Sequence, residues 1–300
     1  MSHYNKPFLW RKFIEIFLWP LQGVIVFILV SLIRLLPVST TSFIFGKLVR
    51  FAGPMTTHHQ RARRHIRFAM PELSEQDITD ILPEMWEHLG RVAGEYPHIH
   101  KMGNKRYATF HGLSHLENNT QGGFIIGGHI GNWEMQVMIS AYLGHHFGIV
   151  YRRLNNPFAN WVLDTRFKRG STDIYPKGQE AARGMLKTIR KKGMVHLISD
   201  QKLREGVMAP FFGHPASTPA SHIKIALKQK IPIFYVRAIR RKGCHFDIHI
   251  SPPHYIYTDG KVTDELVAHH AAEMNKVLSD FIKQTPEQWL WPHRRWGKDI

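Results

Sequence analysis

The stretch GGFIIGGHIGNWEM, residues 122 to 135, constrains the fold more than any other part of this chain. Phe124-Ile125-Ile126 is a short apolar run bounded by glycines, the pattern of a strand buried in a sheet. Asn132-Trp133-Glu134 then opens an apolar-periodic stretch, Met135 to Leu143, that reads as a helix. Between them His129 sits on a turn held by Gly127, Gly128 and Gly131. On one continuous helix, residues five apart point about 140° apart and do not meet. Here the chain switches from strand to helix and folds back, so His129 and Glu134 can approach. The helix N-terminus also favours an ionised Glu134. A neutral imidazole beside a carboxylate is the arrangement that activates a hydroxyl: the imidazole takes the proton, and the carboxylate fixes its tautomer and steadies the imidazolium. Alone, His-x4-Glu is a weak signal, since a strand-end histidine and a helix-start glutamate often carry no chemistry. The three glycines and the strand-to-helix switch strengthen it.

The rest of the chain supplies the layers around this turn. Strands are expected at Tyr107 to His111, 123 to 127, Phe147 to Tyr151, Asp173 to Tyr175, Met194 to Ser199, Ile233 to Ile239 and Phe246 to Ile250. Helices are expected at Ile78 to Tyr96, introduced by an N-cap at Ser74 with Asp77 in the N3 position, and at Pro157 to Lys168. Others are expected at Gln179 to Lys192 (closed by Gly193), Ser221 to Lys230 and 264 to 283. Pro83 starts or kinks the first of these. Strands alternating with helices indicate an α/β fold, a mixed central sheet flanked by helices with its site at the strand C-terminal ends. His129 and Asp200 both fall at such ends.

Ile16 to Ile33 carries no charge and is broken only by Pro20, Gln22, Gly23 and Ser31. That is the lower limit for a membrane-spanning helix. A cleavable signal is disfavoured, because no small-x-small site follows at Leu35-Leu36-Pro37. Lys6, Arg11 and Lys12 precede the run, and Arg34, Lys47, Arg50, Arg61, Arg63, Arg64 and Arg67 follow it. The heavier positive flank places the main body in the cytoplasm if the run spans; the alternative is a buried or interfacial helix. The expected organisation is a membrane anchor over 1–37 and a catalytic domain over 38–300, with no Ser/Gly-rich linker dividing the latter.

The formal charge of +17 requires an acidic partner: anionic lipid, an acidic carrier protein, a phosphorylated substrate or nucleic acid. Nucleic acid is disfavoured, because the basic residues are spread along the chain and no recognition-helix, zinc-finger or aromatic RNA-binding motif appears. A scaffold without chemistry leaves 122 to 135 unexplained. The single cysteine, Cys244, excludes an internal disulfide and fits a reducing compartment. The histidines lack the clustered spacing of a zinc site, so no metal and no cofactor are assigned.

Arg152 and Arg153 follow a strand directly and could clamp phosphate, or be an ordinary solvated loop. Arg166 lies in the next helix, where it reads alone as a surface or dipole residue. Asp200, followed by Gln201, could orient another side chain or serve as a turn residue. Phe211-Phe212-Gly213 offers an aromatic patch for an acyl chain, although adjacent phenylalanines are more often core. Trp289-Leu290-Trp291-Pro292-His293-Arg294-Arg295-Trp296 suits a membrane interface or a packed tail equally.

Together these pieces resemble the bacterial late acyltransferases of lipid A biosynthesis, the lauroyl/myristoyl transferase family. The matching features are the N-terminal apolar segment, HIGNWE at 129 to 134, VYRRLNNP at 150 to 157, Arg166 in RFKRG, ISDQ at 198 to 201, PFFGHPAST at 210 to 218 and PEQWLWPHRRW at 286 to 296. They run in order over nearly the whole chain. The resemblance implies an inner-membrane enzyme with a cytosolic site. It would move a fatty acyl group from acyl-carrier protein, or coenzyme A, to a hydroxyl of a lipid A precursor, or of another glycolipid. It places catalysis on His129 and Glu134, with Arg166 and Asp200 in support. No Gly-x-Ser-x-Gly elbow is present, so direct transfer without an acyl-enzyme is expected, with backbone N–H groups near 130 to 132 or Arg166 as oxyanion donors.

Overall fold

The computed structural model describes residues 8–143, 146–151, 154–160, 172–176, 178–297 and 300. Its centre is a seven-stranded sheet in the order β1-β9-β8-β2-β5-β3-β4. The strands are β1 (Ala108–His111), β2 (Gly123–Gly127), β3 (Phe147–Tyr151), β4 (Thr172–Pro176), β5 (Met194–Ile198), β8 (Ile233–Arg240) and β9 (Phe246–Ile250). Neighbours run parallel except β8 and β9, so the sheet is mixed, as the sequence indicates. The seven strands expected from the sequence are all present, within a residue or so of their expected ends.

Every residue of β2 is buried, which is why it reads as an unbroken apolar run rather than an alternating one. Alternation reappears in what each side chain meets. Phe124 and Ile126 face one core, shared with Ile66, Leu82, Met185, Leu278 and Trp289. Ile125 faces the other, shared with Met135, Ile139, Phe147 and Ile248.

The main helices are α1 (Trp19–Leu35), α2 (Val38–Ala52), α3 (Thr57–Ala69), α4 (Glu75–Glu95), α5 (Glu134–Val137), α6 (Ile139–Leu143), α7 (Gln179–Arg190), α8 (Ser221–Gln229) and α9 (Asp264–Gln284). Helix α4 starts on a reciprocal capping box, in which Asp77 N–H donates to Ser74 Oγ and Ser74 N–H to Asp77 Oδ2. Pro83 lies within it, and the helix continues through. The helix expected after Glu134 is instead two short ones, α5 and α6. At the end of α7 the left-handed residue is Lys192, with φ 57°, rather than Gly193. Gly193 is needed for a different reason: a Cβ there would lie 2.8 Å from the His146 carbonyl oxygen. Of the helix expected at 157 to 168, Pro157–Ala159 forms a 3₁₀ turn and most of the rest lies outside the described residues.

The helices α2 and α3 and one hairpin are not among the elements expected from the sequence. β6 (Val207–Phe211) and β7 (His214–Thr218) form an antiparallel hairpin, closed by Phe212 and Gly213 with φ 52° and 76°. Two positive φ values suit the right-handed twist of a tight hairpin. Pro210 and Pro215 sit opposite one another and conceal the strands from propensity. Phe211 is fully buried beside Trp289 and Trp296, so the core reading of Phe211-Phe212 holds for it.

The N-terminal helix, taken from Ile14 to Leu35, has 22 residues, and an 18-residue stretch of it has a mean hydropathy of 2.5. By length and composition it is long and apolar enough to cross a membrane.

Among the buried histidines of this fold are His88 on α4, His196 on β5 and His222 on α8. Burial pushes them down, to about 3, about 4 and about 4, helped for His88 by the Arg240 guanidinium. Between those values and the ordinary value near 6.5, the unfolded chain binds protons that the folded chain refuses. Stability is therefore complete above about pH 6.5 and falls as pH drops towards 4. The slope is about 1.4 kcal/mol per pH unit for each histidine. Chemical denaturation between pH 7 and 4.5 is expected to show this loss, and His196→Asn to reduce its slope by one proton.

Candidate active site

The parallel register assembles the site. Gly127 on β2 lies opposite Ile198 on β5, and the Ser199 N–H donates to the Gly127 carbonyl oxygen at 2.9 Å. Two residues further on each strand, His129 and Asp200 stand side by side. Asp200 is buried and accepts three hydrogen bonds. They come from His129 Nδ1 to Oδ1 at 2.7 Å, from the His129 backbone N–H to Oδ2 at 2.7 Å, and from Trp289 Nε1 to Oδ2 at 2.7 Å. Burial alone would raise the Asp200 carboxyl. The neighbouring His129 charge and these donors outweigh it and bring it down to about 2.

An ionised Asp200 can only accept, so Nδ1 of His129 carries a proton, and in the neutral ring Nε2 then presents the lone pair. The Gln201 amide donates to that Nε2 at 3.2 Å. The imidazole is half-buried, with Trp133 edge-on at 5.0 Å between ring centroids. A positioned base with one nitrogen fixed and the other presented is what this turn builds.

The carboxylate bonded to the imidazole is thus Asp200, and none of the hydrogen bonds of His129 goes to Glu134, the partner expected from the sequence. The reason is geometric. Strand pairing carries residue 200 directly opposite 129, whereas Glu134 follows a further turn of chain. Glu134 is buried at the start of α5, where its N–H donates to Asn132 Oδ1 at 3.1 Å. Arg152, Arg153 and Arg166 lie outside the described residues. Of the expected oxyanion donors, the Gly131 N–H is already used, donating to the Gln288 carbonyl oxygen at 2.9 Å.

The turn itself is bolted from behind by residues that sequence reasoning passed over. Glu95, at the end of α4, is fully buried. It accepts from Ser42 Oγ at 2.7 Å, from Asn132 Nδ2 at 2.8 Å and from both terminal nitrogens of Arg240 on β8, Nη2 at 2.8 Å. Gln288 clamps the Arg240 backbone, accepting from its N–H at 2.9 Å and donating to its carbonyl oxygen at 3.2 Å. Gly131 adopts φ 60°, and a Cβ there would lie 1.6 Å from the Ala238 carbonyl oxygen. No other residue type fits that approach.

The aromatic and basic tail is a packed one. Trp289 and Trp291 are fully buried, and Trp296 donates to the Phe211 carbonyl oxygen at 3.1 Å. Arg295 is buried against the Phe211 ring. It donates to the Ser217 carbonyl oxygen at 2.7 Å and Thr218 Oγ1 at 2.8 Å. The tail therefore holds the Asp200 side of the site as Gln288 holds the Asn132 side. A sequence signal existed for Trp289, in the tail motif, but none for its target.

Among the described residues, two groups have metal-ligand geometry: His111, Asp247 and His249 on β1 and β9, and His269, His270 and Glu273 on α9. Neither includes a residue of the His129 site. Cys244 is buried, and burial with the nearby Glu95 pushes its thiol up to about 11.

Residues 12–298 match the family model for bacterial lipid A biosynthesis acyltransferases. The chain is 25% identical over 273 residues to the lipid A biosynthesis palmitoleoyltransferase of Escherichia coli (strain K12), covering 87% of this chain and 86% of that one. It is 24% identical over 263 residues to the lipid A biosynthesis lauroyltransferase of the same organism, covering 83% and 82%. Among solved structures, a 1-acyl-sn-glycerophosphate acyltransferase from Thermotoga maritima is similar at a TM-score of 0.35 and 12% identity, covering 87% of this chain and 97% of that one. The family match spans nearly the whole chain and includes the turn, the strand ends and the packed tail described above: this protein belongs to the bacterial lipid A biosynthesis acyltransferase family and is an O-acyltransferase.

Proposed function

We propose that the protein transfers a fatty acyl group from the thioester of acyl-carrier protein, or of coenzyme A, to a hydroxyl of a lipid A precursor. It works at the inner membrane with its catalytic face towards the cytoplasm, residues 1–37 serving as anchor and 38–300 as catalytic body. The observation that carries the reading is the His129 imidazole, oriented by Asp200 and presenting Nε2.

In this mechanism the acceptor hydroxyl takes the place of the Gln201 amide at Nε2. As its oxygen attacks the thioester carbonyl, the proton passes to Nε2. Asp200, already ionised, steadies the imidazolium through Nδ1. Collapse of the tetrahedral intermediate breaks the carbon–sulfur bond, and the departing thiolate takes the proton from Nε2. The ester is formed and the imidazole returns neutral. Glu134 is the second carboxylate of the turn and adds negative charge favourable to the imidazolium. Arg166 is assigned to the oxyanion, and Arg152 and Arg153 to acceptor phosphate. The step needs no acyl-enzyme. A Cys244 thiol with a pKa near 11 is protonated at neutral pH and is a poor nucleophile. The formal charge of +17 suits both an acidic carrier and a phosphorylated glycolipid.

Purified membranes given labelled acyl-carrier protein and lipid A precursor are expected to yield a product heavier by one acyl group. A product built only on another glycolipid would move the assignment of acceptor. His129→Ala is expected to lower transfer by about a hundred- to ten-thousand-fold, and full activity in that variant would end the reading. Asp200→Asn, which no longer enforces the Nδ1–H tautomer, is expected to lose at least about a hundredfold while Km changes little. Trp289→Phe keeps the packed ring but deletes the donor to Asp200. It is expected to destabilise the fold by about 1.5–3 kcal/mol in chemical denaturation followed by circular dichroism.

A further inference from the structure

The apolar N-terminal helix is docked sideways. Along α1 the covered positions include Gly23, Val26, Val30 and Ile33, a stripe at helical spacing, while Leu21, Val24, Ile25, Ile28, Leu29 and Leu32 are exposed. Near the start of the stripe, Asn156 Nδ2 donates to the Trp19 carbonyl oxygen at 2.9 Å and to Gln22 Oε1 at 3.3 Å. Gly23 lies so close to Phe158 that a Cβ would meet its Cβ at 2.6 Å. Near the end, Arg34 Nε donates to the Pro97 carbonyl oxygen at 3.0 Å. Both ends of the helix are therefore tied to the body.

Trp19 and Arg34 are about 22 Å apart along the helix axis, a large part of the roughly 30 Å hydrocarbon core. Stood across a bilayer with Arg34 at the headgroups, α1 would carry the irregular segment 154–160 deep among the lipid tails. That segment includes Asn155, Asn156 and Asn160. Irregular backbone exposed to lipid is not sustained at that depth. Laid in the plane of the interface, the same contacts remain at headgroup level.

Helix α2 gives an independent indication, because its amphipathicity is inverted. Its small and polar residues face inward: Thr41, Ser42 and Gly46 are buried. Gly90 and Gly94 of α4 bring the two backbones together, a Cβ on either lying within 2.4 Å of the Phe45 or Thr41 carbonyl oxygen. Its large residues face out: Phe43, Ile44, Leu48 and Phe51 are exposed, and Met55 follows just beyond. A helix facing water has the reverse arrangement. Leu35 and Leu36, also exposed, connect the two helices.

We propose that α1 and α2 form one monotopic seat, in which both helices lie in the plane of a single leaflet with their exposed apolar side chains among the acyl chains. The occupant of this surface is the bilayer, and Lys12 stays on the same side as the catalytic body. The exposed Arg64 and Arg67 of the following helix and the overall positive charge fit an anionic leaflet. The proposal rests on the membrane attachment stated above and not on the acyl-transfer chemistry.

The test uses full-length protein carrying Cys244→Ala and one new cysteine at an exposed position. Lys12→Cys and Asp259→Cys are treated with a membrane-impermeant maleimide in inverted inner-membrane vesicles and in spheroplasts. Both are expected to label in the vesicles and neither in the spheroplasts. Labelling of Lys12→Cys only in spheroplasts means that the helix crosses, and overturns the in-plane seat while leaving attachment and catalysis intact. In reconstituted vesicles of brominated lipids, bimane at Ile25→Cys, Leu32→Cys and Phe51→Cys is expected to report one common shallow depth. A deep Ile25 with a shallow Leu32 overturns the proposal. Absence of lipid quenching at all three positions overturns membrane attachment as well. Shielding of Phe51 that depends on protein concentration and not on lipid assigns that face to a second copy and also overturns it.

Discussion

The hydrogen bond between His129 and Asp200 is the contact on which the rest of this structure depends. It joins the ends of two adjacent parallel strands at the middle of the sheet, where every residue of β2 and the first three of β5 are buried. A carboxylate taken this far from water is costly unless its lone pairs are filled. Here three N–H donors fill them, and one belongs to a residue 89 positions away. The packed tail follows from that requirement. Without Trp289 the carboxylate has an unfilled oxygen, and without the carboxylate the imidazole has no fixed tautomer.

A buried ion pair serves the other side of the turn. Glu95 and Arg240 are both shielded from solvent, and each remaining lone pair of the carboxylate is met by Ser42 or Asn132. Removing one member of such a pair typically costs about 3–5 kcal/mol, because the other is left charged and unpaired. The His129 turn is thus held between two buried carboxylates, Asp200 at one end and Glu95 at the other. The C-terminal segment contributes to both, through Gln288 at Arg240 and Trp289 at Asp200. Adjacent residues of one short segment consequently set the separation of the two anchors.

Much of the scaffold was legible because its signals are local. The buried strand at 123–127, the capping box at Ser74 and the strand-end position of Asp200 each depend on a few consecutive residues. What escaped depends on pairing. Whether His129 meets Glu134 or Asp200 is decided by strand register between residues 71 positions apart, which a spacing motif does not encode. The hairpin at 207–218 carries proline in both strands and phenylalanine in a left-handed turn position, so propensity argues against it. Glu95 looks like any acid near a helix end, and only the close approach of α2 to α4 at Gly90 and Gly94 reveals that it points inward. The inverted face of α2 was hidden for the same reason. Its apolar residues are obvious in the sequence, but which side they occupy is not.

That inversion would tie the proposed membrane seat to the proposed chemistry. Ser42 projects from the inward face of α2 to Glu95, Glu95 holds Asn132, and Asn132 lies three residues after His129. The path from α2 to the His129 turn therefore consists of one hydroxyl, one carboxylate and one amide, all buried. A rigid connection of that kind fixes the height of Nε2 relative to the plane of α2. For an acceptor whose hydroxyl is confined to the headgroup layer, that height decides whether the oxygen reaches the base at all. Effective concentration at a surface site falls steeply with misplacement of even about 1 Å. An anchor on a flexible tether would leave the height free. A helix packed backbone against backbone on the catalytic body does not, and this explains why α2 gives its inner face to glycine and serine and its outer face to phenylalanine and leucine.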